Sequence, residues 1–245
     1  MKRVATSLFA LAALATAASA DGTFQTLPYS QNWSNTSMIT TNNNWSGVPG
    51  WIGYLGDGDP GTTSGVDPRT ITADIVTAVN VTANQLNANQ LSGGVIEAEF
   101  GNPVVAMQGS GTADWPNIVL HLNTTGFTNI VLSFNYRDID GTTTDNTNQQ
   151  MNAQYRLGTS GVWTNIPGTY VADATTGPNL AVLVTPIAVT LPAAVNNQPQ
   201  VQIRWMTTNA PGNDEFVGVD DIVIVGDAVV PAASQSWGQL KAMYK

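Results

Sequence analysis

Asp214, Glu215, Asp220 and Asp221 fall within one run, GNDEFVGVDD (residues 212–221), of a chain in which only 10% of residues are charged. Carboxylates this close could act as a general acid and base or hold a hard cation. Along a regular strand, Asp214 and Asp220 share one parity while Glu215 and Asp221 share the other, so the four cannot converge on one face. A catalytic pair would also need one carboxyl raised in pKa inside a cleft, and nothing in this run supplies one.

Other side chains with chemical potential are few. Glu97 and Glu99 in VIEAEFG stand at i and i+2, on one face of a strand, and could pair as nucleophile and acid. The stretch resembles the E-x-D-x-x-E strand of some jelly-roll glycosidases, but Asn102 stands where that motif's last Glu belongs. Hydrolysis on Glu97 and Glu99 is therefore the weakest functional class. His121 is the single histidine and cysteine is absent, which excludes thiol chemistry and the usual zinc and iron ligand sets. No nucleophile motif accompanies His121, so a structural histidine is expected. GDGDPG (residues 56–61) opens like a calcium loop with Asp57 and Asp59, but Pro68 occupies the place of the bidentate Glu, and the stretch reads as a turn.

Three arginines form the most suggestive constellation. Arg137, Arg156 and Arg204 lie on long strand candidates with outward parity, accompanied by Asn135, Gln154 and Gln202. On one shared sheet they would make a recognition face for hydroxyl or carboxylate groups, as in glycan binding. Trp163, Trp205 and Tyr155 read as core residues, which leaves no outward ring for sugar stacking.

The elements that must position these groups are strands. In TNIVLSFNYRDIDG the residues Ile130, Leu132, Phe134 and Tyr136 share one parity against Val131, Ser133, Asn135 and Arg137. The same period places Met151, Ala153, Tyr155 and Leu157 inward, and likewise Val201, Ile203, Trp205 and Thr207. Further candidates are GWIGYLG, TITADIVT, VIEAEFG, VVAMQG, NIVLHLN, VLVTPIAVTLP and FVGVDDIVIVG, punctuated by Gly, Pro, Asn and Asp. About ten short strands without a helical period predict an all-β antiparallel sandwich or barrel.

The ends differ from this pattern. Met1-Lys2-Arg3, an apolar run to Ala17 and Ala18-Ser19-Ala20 form a signal peptide over residues 1–20, so export to the extracellular space or cell surface is expected. Its loss would remove Lys2 and Arg3, leaving 6 basic against 17 acidic residues and a net charge of −11. That charge argues against nucleic acid as a partner, and no second apolar stretch reaches the length of a membrane span. After the domain expected at 21–226, the tail 227–245 carries Trp237, Leu240 and Tyr244 on one stripe of a short helix, with Lys241 and Lys245 toward its end.

The motifs AMQGSGTADWPNIVLHLNTTG, LSFNYRDIDG, the run from Tyr170 to Arg204, and TTNAPGNDEFVGVDDI resemble a jelly-roll-like β-sandwich domain of secreted bacterial proteins. In such proteins this domain is often an accessory module, sometimes placed beside an extracellular nuclease or phosphoesterase domain. The ending SWGQLKAMYK is similar to short Trp-Gly…Lys…Tyr-basic endings of other exported proteins, which would make it a sorting tag. The resemblance implies a non-catalytic binding or cell-surface module, with a structural or matrix protein as the alternative. It also implies a structural Ca²⁺ between the first and last strands, held by Asp214, Asp220, Asp221 and, on the first strand, Asn32. Hard Ca²⁺ takes six to eight oxygens, and an amide at Asn32 is a weaker ligand than a carboxylate.

Overall fold

The computed structural model describes residues 21–58, 64–74, 78–87, 92–139, 147–176, 181–229 and 241. The leader, Asp59, and the tail residues Trp237, Leu240, Tyr244 and Lys245 lie outside the described residues. Thirteen strands are described: β1 (Gln25–Thr26), β2 (Tyr29–Gln31), β3 (Trp51–Tyr54), β4 (Thr82–Gln85), β5 (Gly94–Ala98), β6 (Val104–Gln108), β7 (Asn117–Asn123), β8 (Phe127–Asp138), β9 (Met151–Leu157), β10 (Thr164–Asn165), β11 (Val184–Thr190), β12 (Val201–Thr207) and β13 (Val217–Ala228). They form two sheets. One runs β1-β7-β12-β9-β10, with β3 also on β7; the other runs β11-β8-β13-β6-β5-β4, with β2 also on β13. Only β1 with β7 and β4 with β5 pair in parallel. The all-β sandwich is therefore established by the strand pairing itself.

Period-2 patterning sets which side chains enter the core. Ile130, Leu132, Phe134 and Tyr136 of β8 are buried against Met151, Ala153, Val201, Ile203 and Trp205 of the facing sheet. Trp51 stacks on Trp205 with ring centres 5.5 Å apart, and Phe134 meets Trp205 edge-on at 5.7 Å. Each such ring removed from water stabilises the fold by roughly 1.5–3 kcal/mol. Their polar atoms are used too: Trp33 Nε1 donates to the Val219 carbonyl at 2.7 Å, tying the segment after β2 to β13. Leu157, expected inward, stands 42% exposed at the last position of β9.

Two irregularities shape the outer surfaces. TITADIVT (residues 70–77) does not form the expected strand over its described part. Instead Asp67 caps a short 3-10 turn, Pro68–Thr70, by accepting from the Arg69 N–H at 2.9 Å, with Pro at the first position. The chain then runs across the outside of the six-stranded sheet to Asp74. The second irregularity is a bulge in β13. Asp220 pairs with Asn135 and Val223 with Ser133, so two residues, Asp221 and Ile222, lie opposite the single residue Phe134. Asp221 is the extra one, with φ of 51°, a left-handed conformation that Asp tolerates better than branched residues.

Candidate functional site

The expected arginine face divides between the two sheets. Arg137 and Asn135 belong to β8 of the seven-stranded sheet, whereas Arg156 and Gln154 lie on β9 and Arg204 and Gln202 on β12 of the other. Parity reports which way a side chain points from its own sheet, and carries no information on which sheet that is. On β9 and β12, Arg156 pairs with Gln202 and Arg204 with Gln154 in register. Arg156 Nε donates to Gln202 Oε1 at 2.5 Å, and Arg204 donates twice to Gln154 Oε1.

These four residues point away from the core, yet they are not open to solvent. Arg204 is 1% and Arg156 7% exposed, because the segment after the 3-10 turn lies over them. Arg204 donates to the carbonyls of Ala73 (3.1 Å) and Ile71 (2.8 Å), and Arg156 pairs with Asp74 at 2.9 Å. Both guanidinium groups sit over the Trp163 ring, 4.3 and 4.5 Å from its centre. Trp163, expected in the central core, belongs instead to this outer cluster with Ile52 and Val119. Burial lowers the pKa of Arg204 to about 9, with Asp74 opposing the shift. The arrangement fastens the covering segment to the sheet through charged donors on backbone acceptors.

His121 extends the same network. Its Nδ1 donates to the Gly50 carbonyl at 3.0 Å, which leaves Nε2 to accept from the Gln202 amide at 2.6 Å. Burial lowers its pKa, keeping the ring neutral. It is the structural histidine that its setting in NIVLHLN predicted.

The four residues expected to hold calcium do not come together. Asp214 lies in the loop before β13 and accepts from the Ala210 N–H at 2.7 Å. Asp220 is buried against Arg137 (2.7 Å) and Asn102 (2.9 Å). Burial raises the pKa of Asp220, and its hydrogen bonds with the Asp221 N–H and Arg137 work against that rise. Only Asp221 and Asn32 line one depression, and Asn32 Oδ1 already accepts from Ser34. Among the described residues no three His, Asp or Glu side chains gather as a cation site.

Glu97 is buried at 4% exposure beneath the bulge in β4, where its Oε2 accepts from the Asn84 N–H at 2.7 Å and Oε1 has no partner. Burial raises its pKa to about 7; the Asn84 contact opposes the rise and Glu99 adds to it. Asn102, at the place of the missing acid, is committed to Asp220.

The outer face of the seven-stranded sheet is the open one. Because of the bulge, Asp220 and Asp221 both leave the core side, contrary to their parity on a regular strand. Two depressions of about 270 and 450 Å³ meet at Asp221. The first is lined by Ser30, Gln31, Asn32, Ile222 and Val223, the second by Ser133, Asn135, Pro186, Ile187 and Ala188. Together they cross β2, β13, β8 and β11, a span of ~14 Å at ~4.8 Å per strand spacing. Asn135 Nδ2 donates to Asp221 Oδ2 at 3.0 Å and fixes the carboxylate at the junction. Of the residues singled out in the sequence, Asn135, Asp221 and Asn32 share this groove; Ser30, Ser133 and Pro186 were missed, and only their outward parity could have pointed to them.

The fold and this groove define an all-β sandwich with one uncovered, mixed polar and apolar sheet face. No family model matches the chain, and no curated protein matches it. Among solved structures it is similar to a non-crystalline cellulose specific carbohydrate-binding module, CBM28, at 15% identity and TM-score 0.40, over 57% of this chain and 86% of that one. The xylan-binding module CBM15 matches at 11% identity and TM-score 0.40, over 78% and 99%. The K3 cleaved adhesin domain of Lys-gingipain from Porphyromonas gingivalis w83 matches at 14% identity and TM-score 0.42, over 80% and 96%. Likeness at this level is one of fold class, and the ligands of those proteins are not transferred with it. No helix among the described residues is long and apolar enough to cross a membrane.

Proposed function

We propose that the protein is an exported, non-catalytic module that binds an extended glycan in the groove across β2, β13, β8 and β11. The observation that carries this reading is the lining. Hydroxyls, amides and one carboxylate (Ser30, Gln31, Asn32, Ser133, Asn135, Asp221) alternate with apolar walls at Val223, Pro186 and Ala188. Sugar chains present the same mixture, since hydroxyl groups need both donors and acceptors while the C–H faces of the rings need apolar contact. The groove runs across the strands, and at its centre ladder pairing occupies the backbone groups of β13 and β8, so an extended peptide could not add to the sheet there as it does at an edge. The signal peptide expected over residues 1–20 supports this reading, since it would deliver such a module to where polysaccharides are met.

Affinity electrophoresis through gels containing neutral soluble polysaccharides (a β-1,4-galactan, a β-1,4-mannan, a mixed-linkage β-glucan) tests the reading. At least one polymer should retard the protein, and Asn135→Ala should weaken that retardation about 2- to 12-fold, the worth of one hydrogen bond of about 0.5–1.5 kcal/mol. Undisturbed migration in every gel would leave the structural or matrix role as the better reading.

A further inference from the structure

The charge distribution inside the groove bears on which glycans it admits, an inference that rests on the binding reading above. Asp221 is the only ionisable group among the described residues that line the two depressions. Its neighbour Asp220 is ion-paired with Arg137 at 2.7 Å and accepts a hydrogen bond from the Asn102 amide at 2.9 Å, and among the described residues that pairing takes the nearby cation Arg137 out of play. Asp221 has no cationic partner among the described residues: one oxygen accepts from Asn135 and its own N–H donates to Asp220 Oδ1 at 2.8 Å. The groove thus carries a single fixed negative charge at its midpoint, on a chain whose net charge is already −9. The bulge is what puts it there, since a regular strand would have turned Asp221 toward the core.

We propose that Asp221 selects the charge of the ligand: the groove takes hydroxyl-rich chains that are uncharged or bear ammonium groups, and turns away chains bearing carboxylate, sulfate or phosphate. The free carboxylate oxygen accepts from hydroxyl or ammonium donors, whereas an anionic substituent placed against it meets like charge with no cation among the described groove residues to offset it. Arg156 and Arg204, which would have favoured acidic sugars, are enclosed on the opposite sheet.

The test compares wild type, Asp221→Asn and Asp227→Asn at low ionic strength, where surface charge is least screened. Asparagine keeps the left-handed backbone and the contact with Asn135 accessible. Asp227 lies further along β13, outside the groove, and accepts from Asn129 at 2.9 Å, so its replacement removes the same net charge elsewhere. Retardation is measured in β-1,4-galactan and in polygalacturonate. The wild type should prefer the neutral polymer, and D221N should raise the polygalacturonate-to-galactan affinity ratio about two- to fivefold, the effect of one exposed charge pair, while D227N leaves it unchanged. Equal or tighter wild-type binding of polygalacturonate would overturn the proposal, as would equal shifts in D221N and D227N. Binding without discrimination defeats the role of Asp221 alone; no binding to any polymer defeats the glycan reading and this inference with it.

Discussion

The outer faces of the two sheets are built in opposite senses. On the six-stranded sheet, the residues pointing away from the core include Arg156, Arg204, Gln154, Gln202 and His121, polar groups that alternation alone would assign to solvent, and all of these are buried. On the seven-stranded sheet the corresponding positions include Val223 and Val225, 40% and 42% exposed, beside Ser133 and Asn135. The difference lies in what crosses each face. Residues 67–74 traverse the first sheet and offer it backbone carbonyls, for which charged donors are the strongest partners. No described segment crosses the second at β8, β13 and β11, and that face keeps a blend of apolar and hydrogen-bonding groups. Polarity on a sheet surface thus marks a buried joint in one case, and its dilution with valine marks the accessible side in the other.

The sharpest way to break this contrast is to remove Arg204. Arg204→Ala would strand Gln154 Oε1 and the Ala73 carbonyl beneath the cover and leave the Ile71 carbonyl only the Gln154 Nε2 donor at 3.1 Å, and should cost on the order of 3–5 kcal/mol, as for truncating one member of a buried charged cluster. Thermal or urea unfolding measures it. A loss below about 1 kcal/mol would mean the joint is loose and the face less buried than described.

Glu97 gives a second, smaller effect that depends on pH. Its folded pKa of about 7 lies above the ordinary value of 4.5, so the unfolded chain releases the proton first and stability falls as pH rises from about 4.5 to 7. Glu97→Gln keeps an acceptor for Asn84 and carries no charge. The variant should melt several degrees above wild type at pH 8 and close to it at pH 4, by calorimetry at both values. Equal melting temperatures at pH 8 would show that Glu97 is not held in a desolvated site.

On the open face the expected changes in stability are the smallest. Val225→Thr should shift the unfolding free energy by no more than about 0.5 kcal/mol, since its side chain is half in water. A larger loss would indicate that something covers this face after all.

The strands were readable because burial on one face imposes a period of two: Val201 to Trp205 alternate throughout, and Ile130 to Tyr136 do so apart from Val131. The covering segment was not, because Ile71, Ala73 and Ile75 alternate as a strand would while the Asp67-Pro68 cap diverts the chain. The site was half readable. Asn135, Asp221 and Asn32 were singled out for other reasons, as part of an arginine face or as calcium ligands, and their meeting depends on a one-residue bulge at Asp221 that no local composition marks. The separation of Arg137 from Arg156 and Arg204 depends on long-range pairing, β8 with β13 and β9 with β12, which side-chain parity leaves undetermined.

Chemical-shift mapping with a retained soluble oligosaccharide addresses the central contrast most directly. Titration should perturb the backbone amides of Ser30, Asn32, Ser133, Asn135 and Asp221 on the open face, and leave those of Arg69, Ile71, Ala73 and Trp163 unmoved. Perturbations concentrated at residues 69–74 and Trp163, with the Asp221 region silent, would place recognition on the arginine sheet and contradict the assignment of the two faces.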